Sequence, residues 1–188
     1  MIANTERRYS LDEYRAIAET SEERCEYHDG KLFYISGVTY IHARINGNIL
    51  CYFHPKFRDT QFEVIGSNLR LWIPNYSYGL YPDIMFFDGQ IHMNEDRDDE
   101  VLNPIFISEV LYPSDKVQEK PSKFHLYRSI PSFREYLLIS QDEVFVEHYS
   151  KQSQGWILTG FDSLDQSILL ESVNMEIAIT DIYRDVEF

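Results

Sequence analysis

The segment Pro104-Ile105-Phe106-Ile107-Ser108-Glu109-Val110-Leu111 limits the fold more than any other. It is apolar at most positions without alternation, as in a central strand covered on both faces. Asp83–Phe87 reads the same way. Two such strands require layers of structure above and below them. With 44% hydrophobic and 15% aromatic residues over 188 positions, there is apolar material enough for a real core. The length predicts a single domain, 1–188.

The other elements follow from local signals. Ser10-Leu11-Asp12-Glu13 is a capping box that starts a first helix ending near Glu19-Thr20. Cys25–His28 and Lys31–Ile35 flank Asp29-Gly30, the signature of a tight hairpin. Ile41, Ile45, Ile49, Tyr52 and Phe53 recur at helical spacing, which predicts a second helix from Tyr40 to His54 with Pro55 as its stop. Gln61–Ile65 and Asn68–Ile73 read as strands around a Gly66-Ser67 turn. Pro121 is placed as a first-turn residue of a third helix reaching Ile130. Glu135–Ser140, Val144–Tyr149, Gly155–Phe161 and Ile168–Leu170 read as strands of a C-terminal meander, and Ile179–Arg184 as a closing helical turn. The order predicts a mixed α/β (α+β) fold, a mixed central sheet flanked by helices.

Charge narrows the function. Lys plus Arg number 17 against 31 Asp plus Glu, a net −14, which disfavours a general nucleic-acid coat protein or binding to an anionic membrane. A local basic groove remains open. Asn94–Glu100, with five acids and one base, is expected to be a solvated loop. Pro113–Tyr136 runs the other way, with five bases and three acids. Cys25 and Cys51 form no CxxC pair, which excludes a structural zinc finger. The first eight residues lack the apolar core of a signal peptide, and no apolar run reaches membrane-span length, so a cytoplasmic protein with free thiols is expected.

The residues themselves nominate a site. Glu109 interrupts an apolar strand on the face expected to carry Ile105 and Ile107, and a carboxylate there needs a cation, a proton or hydrogen bonds. Asp83 opens the other central strand. Two carboxylates on neighbouring strands repel unless a hard divalent cation such as magnesium lies between them. The alternative is that Asp83 caps a turn and Glu109 pairs with an Arg or Lys. Lys123, with Lys116 and Lys120 nearby, puts an amine on the following helix, to hold a phosphate or to form a solvated face.

These segments, in order, resemble the Uma family, a bacterial group expanded in cyanobacteria with a variant PD-(D/E)XK, restriction-endonuclease-like core. The resemblance is carried by Tyr9–Tyr14, Glu26–Leu32, His42 with Ile45 and Asn48, Ser67–Pro74, Tyr81–Met85, Ser108–Ser114, Lys123–Tyr127, Ile130–Tyr136 and Tyr183. It implies that Asp83 is the motif Asp, Glu109 the motif Glu and Lys123 the motif Lys, with Lys120 as fallback. The general pattern would place the lysine at Leu111, and leucine cannot serve. The family's Pro-Ser-Thr after the Glu motif here reads Pro113-Ser114-Asp115, which adds a carboxylate. Glu26 is either an additional acid near the metal or an ordinary strand carboxylate. His42 either holds a phosphate or water or is a satisfied packing residue. Tyr127 reads as packing.

The implied activity is metal-dependent cleavage of a phosphodiester, with DNA the expected substrate. Asp83, Glu109 and the Val110 backbone carbonyl would hold Mg²⁺ or Mn²⁺, and Lys123 would act on the attacking water. A homodimer suits cutting of two strands. No small-molecule cofactor or membrane partner is expected. Two alternatives stay open: a catalytically degenerate binding module, and an assembly protein that associates through its 14 Tyr and 12 Phe. No helix-turn-helix stands out, so sequence specificity would come from loops such as Asn75–Tyr81 or Gly37–Tyr40.

Overall fold

The computed structural model describes residues 7–35, 37–66, 68–95, 97–111 and 120–188, with side chains from residue 123 in the last stretch. The chain begins with α1 (Leu11–Thr20), the hairpin β1 (Cys25–His28) and β2 (Lys31–Tyr34), and α2 (Tyr40–Phe57). Then come β3 (Phe62–Gly66), β4 (Arg70–Ile73), a 3-10 turn at Pro74–Tyr76, β5 (Tyr78–Leu80), β6 (Ile84–Asp88), β7 (Glu100–Val101) and β8 (Phe106–Leu111). The last part holds α3 (Lys120–Tyr127), β9 (Glu135–Ser140), β10 (Val146–Gln152), β11 (Gly155–Phe161), β12 (Ser167–Leu170), β13 (Met175–Ala178) and α4 (Ile179–Ile182).

The strands form a six-stranded sheet in the order β11-β10-β9-β8-β6-β3, a five-stranded sheet β2-β1-β5-β4-β7, and the separate hairpin β12-β13. The six-stranded sheet is mixed. Its β8 and β9 run parallel, joined by a crossover containing α3, and its other pairs are antiparallel. The mixed α/β expectation is therefore borne out. As predicted, β6 and β8 are central strands. Phe106 and Val110 on β8 join Ile84 and Phe86 in a core under α2, α4 and the β12-β13 hairpin. Ile107 and Leu111 join Met85 and Phe87 in a second core, shared with the five-stranded sheet and α3. A third cluster packs α1 on the β1-β2 hairpin and Trp72. Ile105 precedes β8, where alternation is not yet established, and packs in the first core rather than with Ile107.

Local chemistry explains the elements read correctly. At α1, Ser10 Oγ accepts the Glu13 N–H and the Glu13 carboxylate accepts the Ser10 N–H, the two halves of the capping box. Asp29 and Gly30 both have positive φ, 44° and 90°, as a two-residue hairpin turn requires. Pro55 does not stop α2, which runs on to Phe57. In the last turn a proline sacrifices a single i−4 hydrogen bond, here to the exposed Cys51. Phe57 then packs against Phe53, Phe62 and Phe86 and holds that turn in place.

Other readings need correction. The strands on either side of Gly66-Ser67 belong to different sheets. The meander is β9-β10-β11, and β12 pairs instead with β13. Asn75–Tyr81 is not an open loop, because it contains β5, held between β1 and β4. Asn94–Glu100 is not uniformly solvated: Asn94 and Glu100 are buried, and Glu100 begins β7.

Candidate active site

Antiparallel pairing of β6 with β8 sets Ile84 opposite Ser108. Carried one residue further, that register brings Asp83 opposite Glu109, at a separation where side chains on one face meet. Alternation places Glu109 on the face of Ile107 and Leu111, towards α3 and the second sheet, while Asp83 stands just before β6 and its side chain reaches β8 and α2 at the sheet's end.

Glu109 is 8% exposed. Lys123 Nζ donates to its Oε2 at 2.8 Å, and the Tyr127 hydroxyl donates to its Oε1. Lys123 and Tyr127 are four residues apart on α3 and therefore share a helix face, the one turned to β8. Burial pushes the Glu109 carboxyl above its ordinary range. Asp83 adds repulsion, and the attraction of Lys123 with its hydrogen bond and that of Tyr127 does not cancel the rise.

Asp83 Oδ2 accepts the Val110 N–H at 2.9 Å, and Oδ1 meets His42 Nε2 at 2.9 Å. In an extended strand the N–H and C=O of one residue point to the same edge, so the Val110 carbonyl faces Asp83. The neighbouring Leu111 carbonyl turns the other way and accepts from Gln141 Nε2 at 2.8 Å. Gln141 Oε1 in turn accepts from Thr39, whose hydroxyl also caps the first turn of α2 through the His42 N–H. This chain of bonds fixes the start of α2, and with it His42, over the end of β8.

Glu26 comes from the other sheet. It is 2% exposed, accepts the Tyr81 N–H on Oε1 at 3.2 Å and meets His28 Nε2 through Oε2 at 3.0 Å. The His28 ring lies against Phe33 and Tyr78. Burial pushes the Glu26 carboxyl up, but the Lys123 charge, the contacts with His28 and the Tyr81 N–H outweigh it, and the net direction is down. Lys123 therefore acts on acids from both sheets.

Of the residues singled out in the sequence, Asp83, Glu109, Val110, Lys123, His42 and Glu26 are brought to this one end of the β6-β8 pair. Lys120 opens α3, but its side chain, like Lys116 and Pro113-Ser114-Asp115, lies outside the described residues. Tyr127, read as packing, bonds the central carboxylate; its i+4 spacing from Lys123 is the signal that could have found it. Among the described residues no group of three or more His, Cys, Asp or Glu side chains is arranged to hold a metal. Among them, too, no helix is long and apolar enough to cross a membrane.

A pair of carboxylates and an amine at one end of a mixed sheet, flanked by helices and a second sheet, defines a carboxylate–lysine site on an α/β fold. The model of the Uma2 family, described as "Putative restriction endonuclease", matches residues 11–180, and the chain belongs to this family. An uncharacterized protein of Synechocystis sp., sll1609, is 34% identical over 160 residues, covering 85% of this chain and 90% of that protein. A second from the same organism, slr1290, is 28% identical over 182 residues, 95% of this chain and 93% of that protein. Among solved structures, a "putative nuclease belonging to DUF820" from Anabaena variabilis superposes with a TM-score of 0.72 at 22% identity, over 93% of this chain and 97% of that one, and shares the fold.

Proposed function

We propose that this protein is a divalent-metal-dependent nuclease that hydrolyses phosphodiester bonds, with DNA as substrate. The observation that carries the reading is the meeting of Asp83 and Glu109 across β6 and β8 with the Lys123 amine bonded to Glu109. The donor set fits Mg²⁺ or Mn²⁺: two carboxylates and the Val110 carbonyl are hard oxygens, and repulsion between the carboxylates would be relieved by a cation. Bound there, the ion would supply Lewis-acid polarisation of the phosphate and a more acidic water. Lys123 holds the attacking water and offsets charge that develops on the phosphate oxygens. His42 and the Val110 N–H fix the Asp83 carboxylate, and Tyr127 fixes that of Glu109. A homodimer would offer one such site to each strand of a duplex, and sedimentation of the purified protein tests that part of the reading.

The test is cleavage of mixed DNA and RNA across a series of Mg²⁺, Mn²⁺ and Ca²⁺. Asp83→Ala and Glu109→Ala are expected to lower cleavage by more than about a hundredfold. Cutting at the wild-type rate by either variant defeats the mechanism. One observation favours a second reading, a binding module without catalysis. All four carboxylate oxygens of Asp83 and Glu109 already meet protein groups. Such a module would take up no Mn²⁺ in a calorimetric titration.

A further inference from the structure

The rim of the six-stranded sheet far from α2 ends in β11, seven residues long, Gly155-Trp156-Ile157-Leu158-Thr159-Gly160-Phe161, which pairs only with β10. On β10, Lys151 donates its N–H to the Arg134 carbonyl, on the β9 side, at 2.9 Å. Successive residues aim their backbone groups at alternate edges of a strand, so Ser150 and His148 bond their opposites on β11, Ile157 and Thr159. Trp156, Leu158 and Gly160 therefore turn N–H and C=O outward, and among the described residues those groups have no hydrogen-bond partner. Sheets guard such edges with charge, proline, bulges or shortness. The other edge strands do so: β2 carries Lys31, β3 Glu63 and β13 Glu176, while β7 and β12 are two and four residues long. β11 has none of these guards, and Ile157 and Leu158, on its two faces, are 53% and 54% exposed.

The strand that fits this edge is β11 itself. With two copies antiparallel about Leu158, Trp156 meets the partner's Gly160 and Leu158 meets the partner's Leu158 on one face, and Ile157 meets the partner's Thr159 on the other. An aromatic ring laid over an edge glycine repairs it, and aliphatic and β-branched cross-strand pairs are favourable. Gly160 has no side chain to oppose the indole, and the Phe145 ring, 3.5 Å from where a Cβ would stand, borders the gap. Charge is matched as well. Lys151 lies beside Trp156 and Glu147 beside Gly160, so each row across the joint runs Lys151, Trp156, the partner's Gly160, the partner's Glu147, a base at one end and an acid at the other. β11 itself brings no charge to a meeting of two chains that each carry −14.

We propose that β11 is the docking edge for a second copy of this chain, the two strands joined antiparallel about Leu158 into one continuous sheet. The two-fold joint occupies the edge of both copies, so association stops at two. It gives a dimer a specific surface and does not depend on the chemistry at Glu109.

The experiment is sedimentation equilibrium of the full chain over a concentration series, for wild type, Leu158→Lys, Leu158→Glu and an equimolar mixture of the two variants. Wild type is expected to dimerise. Each variant alone is expected to be monomeric, because it sets like charges face to face at the centre of the joint. The mixture is expected to regain the dimer, at least about fivefold tighter than either variant alone, because lysine then faces glutamate. Only a strand paired with its own copy at that residue gives this rescue. A wild type that stays monomeric, or that assembles beyond two, overturns the proposal. Leu158→Lys that dimerises like wild type puts the joint elsewhere, and a mixture no better associated than its parts means that Leu158 does not face its own copy; either result sinks the joint. If circular dichroism shows a Leu158 variant unfolded, Gly160→Lys takes its place, since the backbone there has no positive φ and a Cβ meets the Phe145 ring at ordinary contact distance. It is expected to be monomeric, and a dimer as tight as wild type overturns the proposal.

Discussion

Two carboxylates in this molecule are buried to nearly the same depth and treated in opposite ways. Glu100 is 0% exposed and Glu109 is 8% exposed. Glu100 is surrounded by donors. Arg15 reaches both its oxygens at 3.2 and 2.9 Å, Arg70 Nη1 lies at 2.8 Å and Asn94 Nδ2 at 2.6 Å. Burial pushes the Glu100 carboxyl up, but these hydrogen bonds outweigh it and the net direction is down. Glu109 has one ammonium and one phenol, and faces Asp83 besides. Its direction is up. Burial alone therefore does not distinguish a candidate site from a structural clamp. The balance of acids against donors does: Glu100 is over-supplied, and Glu109 is left wanting positive charge.

The same substitution should then act with opposite sign at the two positions. Glu100→Gln takes the carboxylate from the half-buried Arg15 and from the buried Arg70, which keeps only Asp99, a loss of about 3 kcal/mol by the usual cost of breaking one half of a buried ion pair. Urea unfolding followed by circular dichroism reads it directly. Glu109→Gln, which should abolish cleavage, removes a charge that the fold disfavours and is expected to stabilise by about 0.5 to 2 kcal/mol, as relief of a strained functional site commonly does. If Glu109→Gln destabilises as much as Glu100→Gln, the contrast between clamp and site is broken, and Glu109 is one more structural ion pair.

What could be read from the sequence divides along the same lines. Features set by neighbours in the chain were legible. The capping box at Ser10, the Asp29-Gly30 turn and the uninterrupted apolarity of β6 and β8 each carry their own physical cause within a few residues. The Glu100 clamp was not legible, because its partners Arg15 and Arg70 lie 85 and 30 residues away. Counting charge along Asn94–Glu100 therefore made a buried acid look solvated. Short strands paired by distant partners, such as the two-residue β7 and the three-residue β5, leave no periodicity to find. At the candidate site the burial cost of Glu109 nominated the acid from its own neighbours. The local excess of bases nominated Lys123 together with its neighbours and the family resemblance singled it out, since nothing local says that Lys123 turns towards β8. An aromatic on a helix face usually reads as core, and Tyr127 is core, with its hydroxyl bonded to the carboxylate as well.

Acid provides the finest test, because the two glutamates should approach wild-type behaviour from opposite sides. Glu100 has its affinity for protons lowered on folding from an ordinary value of 4.5. Its ionised form contributes stability above pH 4.5, and that contribution is lost as pH falls through its lower folded value. The deficit of Glu100→Gln should accordingly shrink once the pH drops well below 4.5. Glu109 is raised from the same ordinary value. Its proton favours the fold fully below pH 4.5, and that advantage disappears as pH rises through the folded value, where ionisation begins to strain the site. Glutamine cannot ionise, so the gain of Glu109→Gln should exist at neutral pH and vanish below about 4.5. Melting temperatures of wild type and both variants between pH 3 and pH 8 should fan apart at the neutral end and draw together at the acid end, with wild type between the two. A Glu109→Gln advantage that grows on acidification would mean that the carboxylate is held ionised by Lys123, and the shortage of positive charge on which the candidate site depends would not exist.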